Sequence, residues 1–182
     1  MNGFEGQSKE NVSYPENLTP QDIALVYRQC EIQHATSVEQ LEGFANAYSK
    51  AKELAQTREK LDQLTPEQIE GLILELGALT EKRNQKGFRI VPVTFANGSR
   101  AIEADKIPRA IQTFAQGFKS FLENPTEDER LNTVLLYKQF EEIHPFEDGN
   151  GRVGDLLWKI LESKKTKQWP EKLPPDVFGE NK

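Results

Sequence analysis

The feature that most constrains this chain is a polar, glycine-rich loop that runs directly into an apolar helix. Residues 144–152 read HPFEDGNGR. Beyond them, apolar residues recur at intervals of three and four, which places them on one helix face that must pack against a core. These residues are Val153, Leu156, Leu157, Ile160 and Leu161. The loop therefore lies at a helix N-terminus, where backbone N–H groups lack intrahelical acceptors and the helix dipole is positive.

Most of the remaining chain also predicts helices. Four helix starts carry capping residues, namely Thr19 before Pro20, Ser37 with Gln40, Thr65 with Gln68, and Thr126 with Glu129. A further helical run, with a stripe of phenylalanines that indicates core packing, covers residues 107–122 and ends at Asn124-Pro125. We predict a mainly α fold with one domain over residues 18–163. Residues 1–17 are expected to be a flexible segment, and residues 164–182 an irregular, proline-interrupted C-terminal tail.

One segment, residues 88–102, predicts β-structure. It holds β-branched and aromatic residues on both sides of Asn97-Gly98, a pair that accepts the positive φ angles of a tight turn. Pro92 cannot donate a ladder hydrogen bond and places the first strand at an edge. We therefore predict a single β-hairpin that leans on the helices, since an isolated hairpin is marginally stable in water.

Composition excludes several classes of function. The net charge of −6 argues against a general binder of nucleic acid or of membrane surfaces, because both need a basic face. No apolar stretch approaches the length that spans a membrane. Cys30 is the only cysteine, so no internal disulfide forms, and the N-terminal residues lack the pattern of a signal peptide. We expect a cytoplasmic protein.

The loop brings together residue types that suit a ligand with phosphate groups. Gly149 and Gly151 let the backbone approach such a ligand closely and take left-handed angles, which turns successive N–H groups toward an anion. Arg152 adds a guanidinium whose planar donors match phosphate oxygens.

Three other side chains of the loop complete this prediction. Asp148 would repel a bare phosphate, so its presence favours a magnesium ion held between the carboxylate and phosphate oxygens. Asn150 can donate its amide to a phosphate oxygen. His144 has an ordinary pKa of about 6.5, which suits a general base. We predict a site for phosphate chemistry at this helix N-terminus.

The loop also resembles the signature of Fic-domain proteins, His-Pro-Phe-x-(Asp/Glu)-Gly-Asn-Gly-Arg, at every fixed position. The preceding LLYKQFEEI resembles the helix that leads into the signature, and FRIVPVTF is similar to the flap hairpin of the family. The resemblance covers roughly residues 65–162. It implies that residues 18–163 are a Fic-type catalytic domain, helical with one β-hairpin flap at residues 88–102.

The activity that the resemblance implies is transfer of AMP from ATP to a Ser, Thr or Tyr hydroxyl of a target protein, assisted by Mg²⁺. Carried over by position, the roles are His144 as the base, Asp148 as the magnesium ligand, Gly149, Asn150 and Gly151 as the anion hole, Arg152 on the β-phosphate, and Phe146 as the anchor of the loop in the core. The flap residues Ile90, Val91, Pro92, Val93 and Thr94 would bind the target segment by strand addition.

One position departs from the family signature. A second arginine normally follows three residues after the first and contacts the γ-phosphate, but Asp155 occupies that position. Asp155 either retunes the choice of donor or is a surface acid that favours the helix dipole and pairs with Lys159. AMP transfer is the leading hypothesis. The alternatives are a transferase that uses another nucleotide-linked donor, and a catalytically inactive module that binds nucleotide or protein.

Regulation in many relatives uses a Ser/Thr-x-x-x-Glu-Gly/Asn helix whose glutamate pairs with the second arginine. Residues 37–43 (SVEQLEG) and 65–71 (TPEQIEG) resemble this motif, but the hydroxyl lies five residues before the glutamate instead of four. Both segments also read as ordinary capped helices. We predict no autoinhibition of that type, and a separate antitoxin-like regulator stays an open partner.

Overall fold

The computed structural model describes residues 12–95, 98–125 and 131–177. Within them the chain forms seven α-helices and two short 3-10 helices. The α-helices are α1 (Pro20–Ile32), α2 (Val38–Gln56), α3 (Arg58–Gln63), α4 (Pro66–Thr80), α5 (Ile107–Glu123), α6 (Thr133–Ile143) and α7 (Asn150–Thr166); the 3-10 helices are Lys82–Lys86 and Ala104–Lys106. The mainly helical fold class predicted from the sequence is confirmed.

Local caps set the start of α1 and α4 as predicted. The Thr19 side chain accepts from the backbone N–H of Asp22, and the Asp22 carboxylate accepts from the Thr19 N–H, which forms a complete capping box. Thr65 and Gln68 form the same reciprocal pair at α4. Each box satisfies donors that the first helical turn leaves free.

Two other predicted caps have different outcomes. Ser37 caps α2 by accepting from the Gln40 N–H. Thr126 and Glu129, the pair predicted to open the sixth helix, lie outside the described residues. The helix α6 itself is capped by Asn132, whose side chain accepts from the N–H of Leu135.

Helix α7 is the centre of the fold. It packs against α2, α4, α5 and α6. All five residues of its predicted apolar face are buried, and so are several residues on its other sides. The phenylalanine stripe of α5 is fully buried, which confirms its assignment to the core. The helix that follows the signature loop is thereby held in place by four other helices.

The predicted hairpin is not confirmed as a pair of strands. Among the described residues, the segment 88–102 contains one antiparallel bridge, between Thr94 and Arg100, and no strand. Two backbone hydrogen bonds flank this bridge, from Phe95 to Ser99 and from Ala101 to Val93. Asn97, half of the predicted turn, lies outside the described residues, and Gly98 has the expected positive φ of 82°. The segment is a two-armed loop, which we call the flap; one edge bridge is too short a ladder to count as a sheet.

The tail begins later than predicted and returns to the domain. Helix α7 continues to Thr166, three residues beyond the predicted boundary at 163. Trp169 then donates its indole N–H to the Tyr48 hydroxyl, at 2.9 Å, and its ring meets the Tyr48 ring edge to face. No helix in the described part of the chain has the length and apolarity needed to cross a membrane.

Candidate active site

A sharp turn joins α6 to α7 and carries the predicted site. His144 ends α6 with a left-handed backbone, at φ 49°, and its N–H still donates to Phe140. Pro145 follows and disfavours a continued helix. Gly149, with φ 76°, is the residue immediately before α7. The chain thus reverses within six residues and presents the histidine beside the start of the next helix.

His144 is held by its backbone neighbours in a neutral state. Its Nδ1 lies 3.3 Å from the Glu141 carbonyl oxygen, which can only accept, so Nδ1 carries the proton and Nε2 has the free lone pair. The Phe95 ring of the flap packs edge to face on the imidazole, with centroids 4.9 Å apart. Burial lowers the pKa of His144 to about 4, helped by the charge of Arg89 and opposed by the Glu141 hydrogen bond and by Asp148. The imidazole is therefore neutral near pH 7, as a base requires.

Phe146 anchors the turn in the core. Its ring is fully buried and packs against Phe88, with centroids 5.7 Å apart. Gly77 of α4 makes this possible, because a Cβ at that position would overlap the Phe146 ring. The backbone of Phe146 is fixed by Asn150, whose side-chain oxygen accepts from the Phe146 N–H at 2.8 Å and whose amide donates to the Phe146 carbonyl at 2.9 Å.

The amide of Asn150 was predicted to donate to a phosphate oxygen. In this structure Asn150 is buried, and both polar atoms of its side chain are used by Phe146. Asn150 therefore closes the turn instead of facing a ligand. The N–H of Gly149, which was also predicted for the anion hole, donates to the Asp148 carboxylate. The N–H groups of the first helical turn remain as donors for an anion, because no carbonyl inside the helix reaches them.

Asp148 and Arg152 form the charged part of the site. One carboxylate oxygen of Asp148 accepts from the Gly149 N–H at 2.6 Å and lies 3.5 Å from the Arg152 guanidinium. Arg152 is fully buried, donates to the Thr80 carbonyl at 3.3 Å, and lies 3.8 Å from the Glu81 carboxylate. Its Nε has no acceptor among the described residues. A buried guanidinium with one unused N–H donor thus lies next to the start of α7.

Gly151 is needed for close packing rather than for a special φ angle. A Cβ there would overlap the side chain of Gln33, which follows α1, and the Gly151 carbonyl accepts from the Gln29 amide at 3.3 Å. Gly149 combines a positive φ with tight packing, since a Cβ would lie 3.2 Å from the Arg152 guanidinium and 3.1 Å from the Thr80 side chain. The structure brings the predicted residues His144, Phe146, Asp148, Gly149, Asn150, Gly151 and Arg152 together around one turn.

Comparison with protein families identifies the family of the chain that carries this turn. The family model described as the Fic/DOC family matches residues 61–161, more than half of the chain. This protein belongs to the Fic/DOC family. The matched region runs from α3 to α7 and includes both the flap and the turn that carries the predicted site.

A solved structure supports the fold of this Fic/DOC protein. The chain is similar to a Fic-domain-containing signaling protein from Bacteroides thetaiotaomicron VPI-5482, with a TM-score of 0.55 and 20% sequence identity. The match covers 83% of the present chain and 63% of that protein, so the chain spans less than two thirds of the length of its structural relative. No curated protein matches the sequence. The family includes proteins that transfer AMP, and no close named relative specifies the activity of this member.

Asp155 is not the surface acid that one of our two interpretations expected. Its side chain is 1% exposed, because it faces the interior of the helical bundle. The predicted pairing with Lys159 is present, at 3.6 Å, but Lys159 is fully buried as well. Burial raises the pKa of Asp155 to about 6, and the neighbouring Lys159 opposes that shift. The i, i+4 spacing was interpreted correctly, but the exposure assigned to Asp155 was wrong.

Helix α4 and the segment after it supply contacts that the sequence analysis missed. Arg83, with a side chain 58% exposed, forms an ion pair with the outer oxygen of Asp148 and lies 3.4 Å from Glu81. Asn84 is buried and donates to the carbonyls of Asp148 (2.8 Å) and Gly77 (3.2 Å). No motif marks these residues. The only signal was a run of polar residues, 81–86, between a confident helix and the predicted hairpin.

The predicted target-binding residues lie on the first arm of the flap. Ile90 is 86% exposed and Val91 is 46% exposed, which is unusual for large apolar side chains. Pro92 is exposed, Val93 is partly buried, and Thr94 makes the bridge to the second arm.

The motif glutamate Glu42 accepts from the N–H of Ser13, so it is occupied away from Arg152.

Proposed function

We propose that this Fic/DOC protein transfers AMP from ATP to a Ser, Thr or Tyr hydroxyl of a target protein, with Mg²⁺. One observation carries the proposal. A single turn places a neutral imidazole, with Nε2 free, beside a helix N-terminus that has a buried arginine beneath it, and the charge of Asp148 acts on both His144 and Arg152. This arrangement combines a proton acceptor with a cradle for negative charge, as transfer of a phosphorus-linked group to a hydroxyl requires.

The chemistry assigns a step to each group. Nε2 of His144 accepts the proton of the target hydroxyl while the hydroxyl oxygen forms a bond to the α-phosphorus. The bond from that phosphorus to the bridging oxygen breaks, and pyrophosphate leaves with its electron pair. The first N–H groups of α7 and the Arg152 guanidinium stabilise the negative charge on the phosphate oxygens, which is the main contribution a protein makes to such a transfer.

The residues present also fit a magnesium ion. Asp148 offers a partly exposed carboxylate whose outer oxygen already pairs with a cation, Arg83. Magnesium prefers oxygen ligands and is usually held by one or two carboxylates together with substrate phosphates. When bound there, it would neutralise charge on the donor phosphates. Asp148 would hold it, and Arg83 would have to release the carboxylate.

The target would bind to the flap by strand addition, along residues 90–94. The exposed Ile90 and Val91 give apolar contacts that such a strand would cover, and main-chain hydrogen bonds would add little sequence demand. Family members often pair with antitoxin regulators, and we propose a regulator of that kind as a further partner.

Incubation with α-labelled ATP and magnesium tests the proposal, read as label on the protein itself or on a lysate protein. We expect His144→Ala to reduce labelling by at least about 10²-fold, the usual contribution of a general base. His34→Ala is the matched control, because His34 is the only other histidine and lies exposed after α1. Labelling that persists in His144→Ala would exclude this mechanism.

A different nucleotide-linked donor is the second candidate, and Asp155 favours it. The position that holds the second arginine in the family signature here holds a buried acid paired with Lys159, so it offers no cation to a γ-phosphate. A panel of donors, read by intact mass, separates the two candidates because the added mass names the transferred group. The panel is best run on the natural chain, since burial of Asp155 makes Asp155→Arg a disruptive variant. Nucleotide binding by calorimetry without any transfer would instead indicate an inactive binding module.

A further inference from the structure

Arg89 is a buried cation whose hydrogen-bond partners, in the part of the chain that the structure describes, are all backbone oxygens. Its side chain is 2% exposed, and in the described ranges no carboxylate lies within ion-pair distance of it. Its guanidinium donates to four carbonyl oxygens, those of His144 (2.7 Å), Val91 (2.8 Å), Ile102 (2.7 Å) and Ile143 (3.4 Å). A buried arginine without a carboxylate is costly, so it persists only where its hydrogen bonds replace those of water.

These carbonyls belong to three separate segments of the fold. Val91 is on the first arm of the flap and Ile102 ends the second arm. Ile143 is the last residue of α6 and His144 is its C-cap, where carbonyls lack intrahelical donors and the helix dipole is negative. The backbone N–H of Arg89 also donates to the Pro145 carbonyl, at 2.9 Å. One planar group therefore joins both arms of the flap to the peptide that carries the histidine.

The backbone of His144 needs such support. A left-handed φ of 49° is uncommon for a residue with a side chain and costs free energy unless its surroundings enforce it. The Nε–H of Arg89 fixes the orientation of the His144 carbonyl, and with it the angle at which the imidazole leaves the chain. The flap residue Phe95 also packs edge to face on the imidazole ring.

We propose that Arg89 is a positioning residue for His144, through which the arrangement of the two flap arms is transmitted to the imidazole. This inference rests on the proposed function only in giving His144 the role of the base. A target strand that binds to the flap would act on the arms that Arg89 holds, and the position of the base would respond.

The ionisation of His144 supplies a direct readout. The charged groups that act on the imidazole are Arg89, from the flap, and Asp148, from the turn before α7. Loss of Arg89 removes a positive charge and loosens the packing that buries the ring. Both changes move the pKa of His144 upward, from about 4 toward its ordinary value of 6.5.

Proton NMR of the two imidazoles tests this in the full chain, because His34 is an internal control in the same spectrum. In the natural protein we expect the His144 resonance to stay in its neutral position over about pH 5 to 8, the range in which an ordinary histidine titrates. In Arg89→Met we expect it to titrate within this range. Arg89→Lys should shift it less, because an ammonium keeps the charge but has three donors for four carbonyls. Arg100→Met, an exposed arginine on the second arm, should leave it unchanged.

Two further measurements keep the inference testable if Arg89→Met fails to fold. The Nε–H of Arg89 in the natural protein should exchange slowly with water, and rapid exchange would overturn the inference. In Arg89→Lys, kcat should fall by about tenfold or more while the affinity for nucleotide, by calorimetry, stays within about twofold. Identical titration of His144 in the natural protein, Arg89→Met and Arg89→Lys would also overturn the inference. If the titration and exchange results are as expected but the natural protein transfers no nucleotide, the proposed function fails and the positioning role stands.

Discussion

Helix α7 carries buried charge at two places one turn apart, and the two places are built differently. At the first turn, Arg152 has the Thr80 carbonyl and the Asp148 and Glu81 carboxylates around it. At the next turn, the two carboxylate oxygens of Asp155 have no hydrogen-bond donor within the described parts of the chain, and Lys159 lies 3.6 Å away. We call the surroundings of Arg152 the site pole and the surroundings of Asp155 and Lys159 the core pole.

The partners of Lys159 explain how the core pole is tolerated. Its ammonium donates to the carbonyls of Pro170 (3.0 Å) and Lys172, both in the tail, and lies 5.7 Å from the centres of the Tyr48 and Trp158 rings. The lysine is thus well satisfied, whereas the aspartate depends on the lysine alone. This difference indicates that the family signature specifies the residues around Arg152. The departure from the signature at Asp155 is accommodated by the residues that happen to pack around it.

The largest expected effect is on the core pole. Lys159→Met leaves the Asp155 carboxylate buried without a counter-charge and should lower the free energy of unfolding by roughly 3–5 kcal/mol. Asp155→Asn should cost less, because the tail carbonyls still bind the ammonium. Urea denaturation of both variants and of the double variant measures the coupling energy. Equal costs for the two single variants would contradict the asymmetry described above.

The pH dependence of stability should separate Asp155, in the core pole, from His144, in the turn that leads to the site pole. His144 has a lowered pKa, so its contribution is fully present above pH 6.5 and is lost as the pH falls toward 4. Asp155 has a raised pKa, so its contribution is present below pH 3.8 and is lost as the pH rises through 6. The two contributions have opposite signs and therefore offset one another in the natural protein.

Single variants remove one slope at a time. Thermal unfolding of His144→Asn between about pH 4 and 6.5 should show stability that changes less favourably with rising pH than in the natural protein, because the His144 contribution is removed and the Asp155 contribution remains. Asp155→Asn should change the slope in the opposite direction. If both variants keep the pH profile of the natural protein, the two groups do not control it.

The packing of Phe146 against Gly77, next to the site pole, should have a smaller effect on stability. Gly71, on the same helix as Gly77, offers a matched control. Gly77→Ala places a methyl group against the Phe146 ring and should destabilise the protein by about 1–3 kcal/mol. Gly71→Ala, where a Cβ meets nothing within 4 Å, should be neutral or stabilise by up to about 1 kcal/mol. Chemical denaturation measures both. A harmless Gly77→Ala would show that Phe146 has room to move.

The smallest effect concerns the cation that faces Asp148. Arg83→Gln removes a competitor for the carboxylate and should raise the affinity for magnesium by about fivefold or less, since exposed ion pairs contribute at most about 1 kcal/mol. Lys82→Gln is the control, because Lys82 is equally cationic but pairs with Glu39 instead. Calorimetric titration with magnesium and nucleotide compares them. Weaker magnesium binding in Arg83→Gln would mean that Arg83 assists the ion.

The parts of the fold that the sequence predicted are those that depend on local chemistry. Thr19 and Thr65 cap helices through neighbours three residues away, Pro125 limits α5, and the residue types of 144–152 indicated a phosphate site without any distant contact. The flap was predicted as a hairpin from its turn residues. Its described residues form one bridge, and Arg89 bonds the carbonyls of Val91 and Ile102 to the interior instead.

The unpredicted parts depend on contacts between distant segments. Glu81, Arg83 and Asn84 reach the signature turn from more than sixty positions upstream, and no pattern in the sequence encodes that approach. One of the two interpretations of Asp155 placed it at the surface, because i, i+4 spacing with Lys159 fits an exposed pair and a buried pair equally well. Which of the two occurs is set by the packing of α2 and the tail around α7.

The clamp between Asn150 and Phe146 has a consequence for the durability of the protein. Asparagine followed by glycine is the dipeptide most prone to spontaneous deamidation, in which the glycine nitrogen attacks the side-chain carbonyl carbon to close a succinimide ring. Here the Asn150 side chain is tied to the Phe146 backbone and the peptide to Gly151 is helical, so nucleophile and carbonyl carbon are kept apart. The same two hydrogen bonds that shape the turn thus protect the Asn150-Gly151 peptide from deamidation.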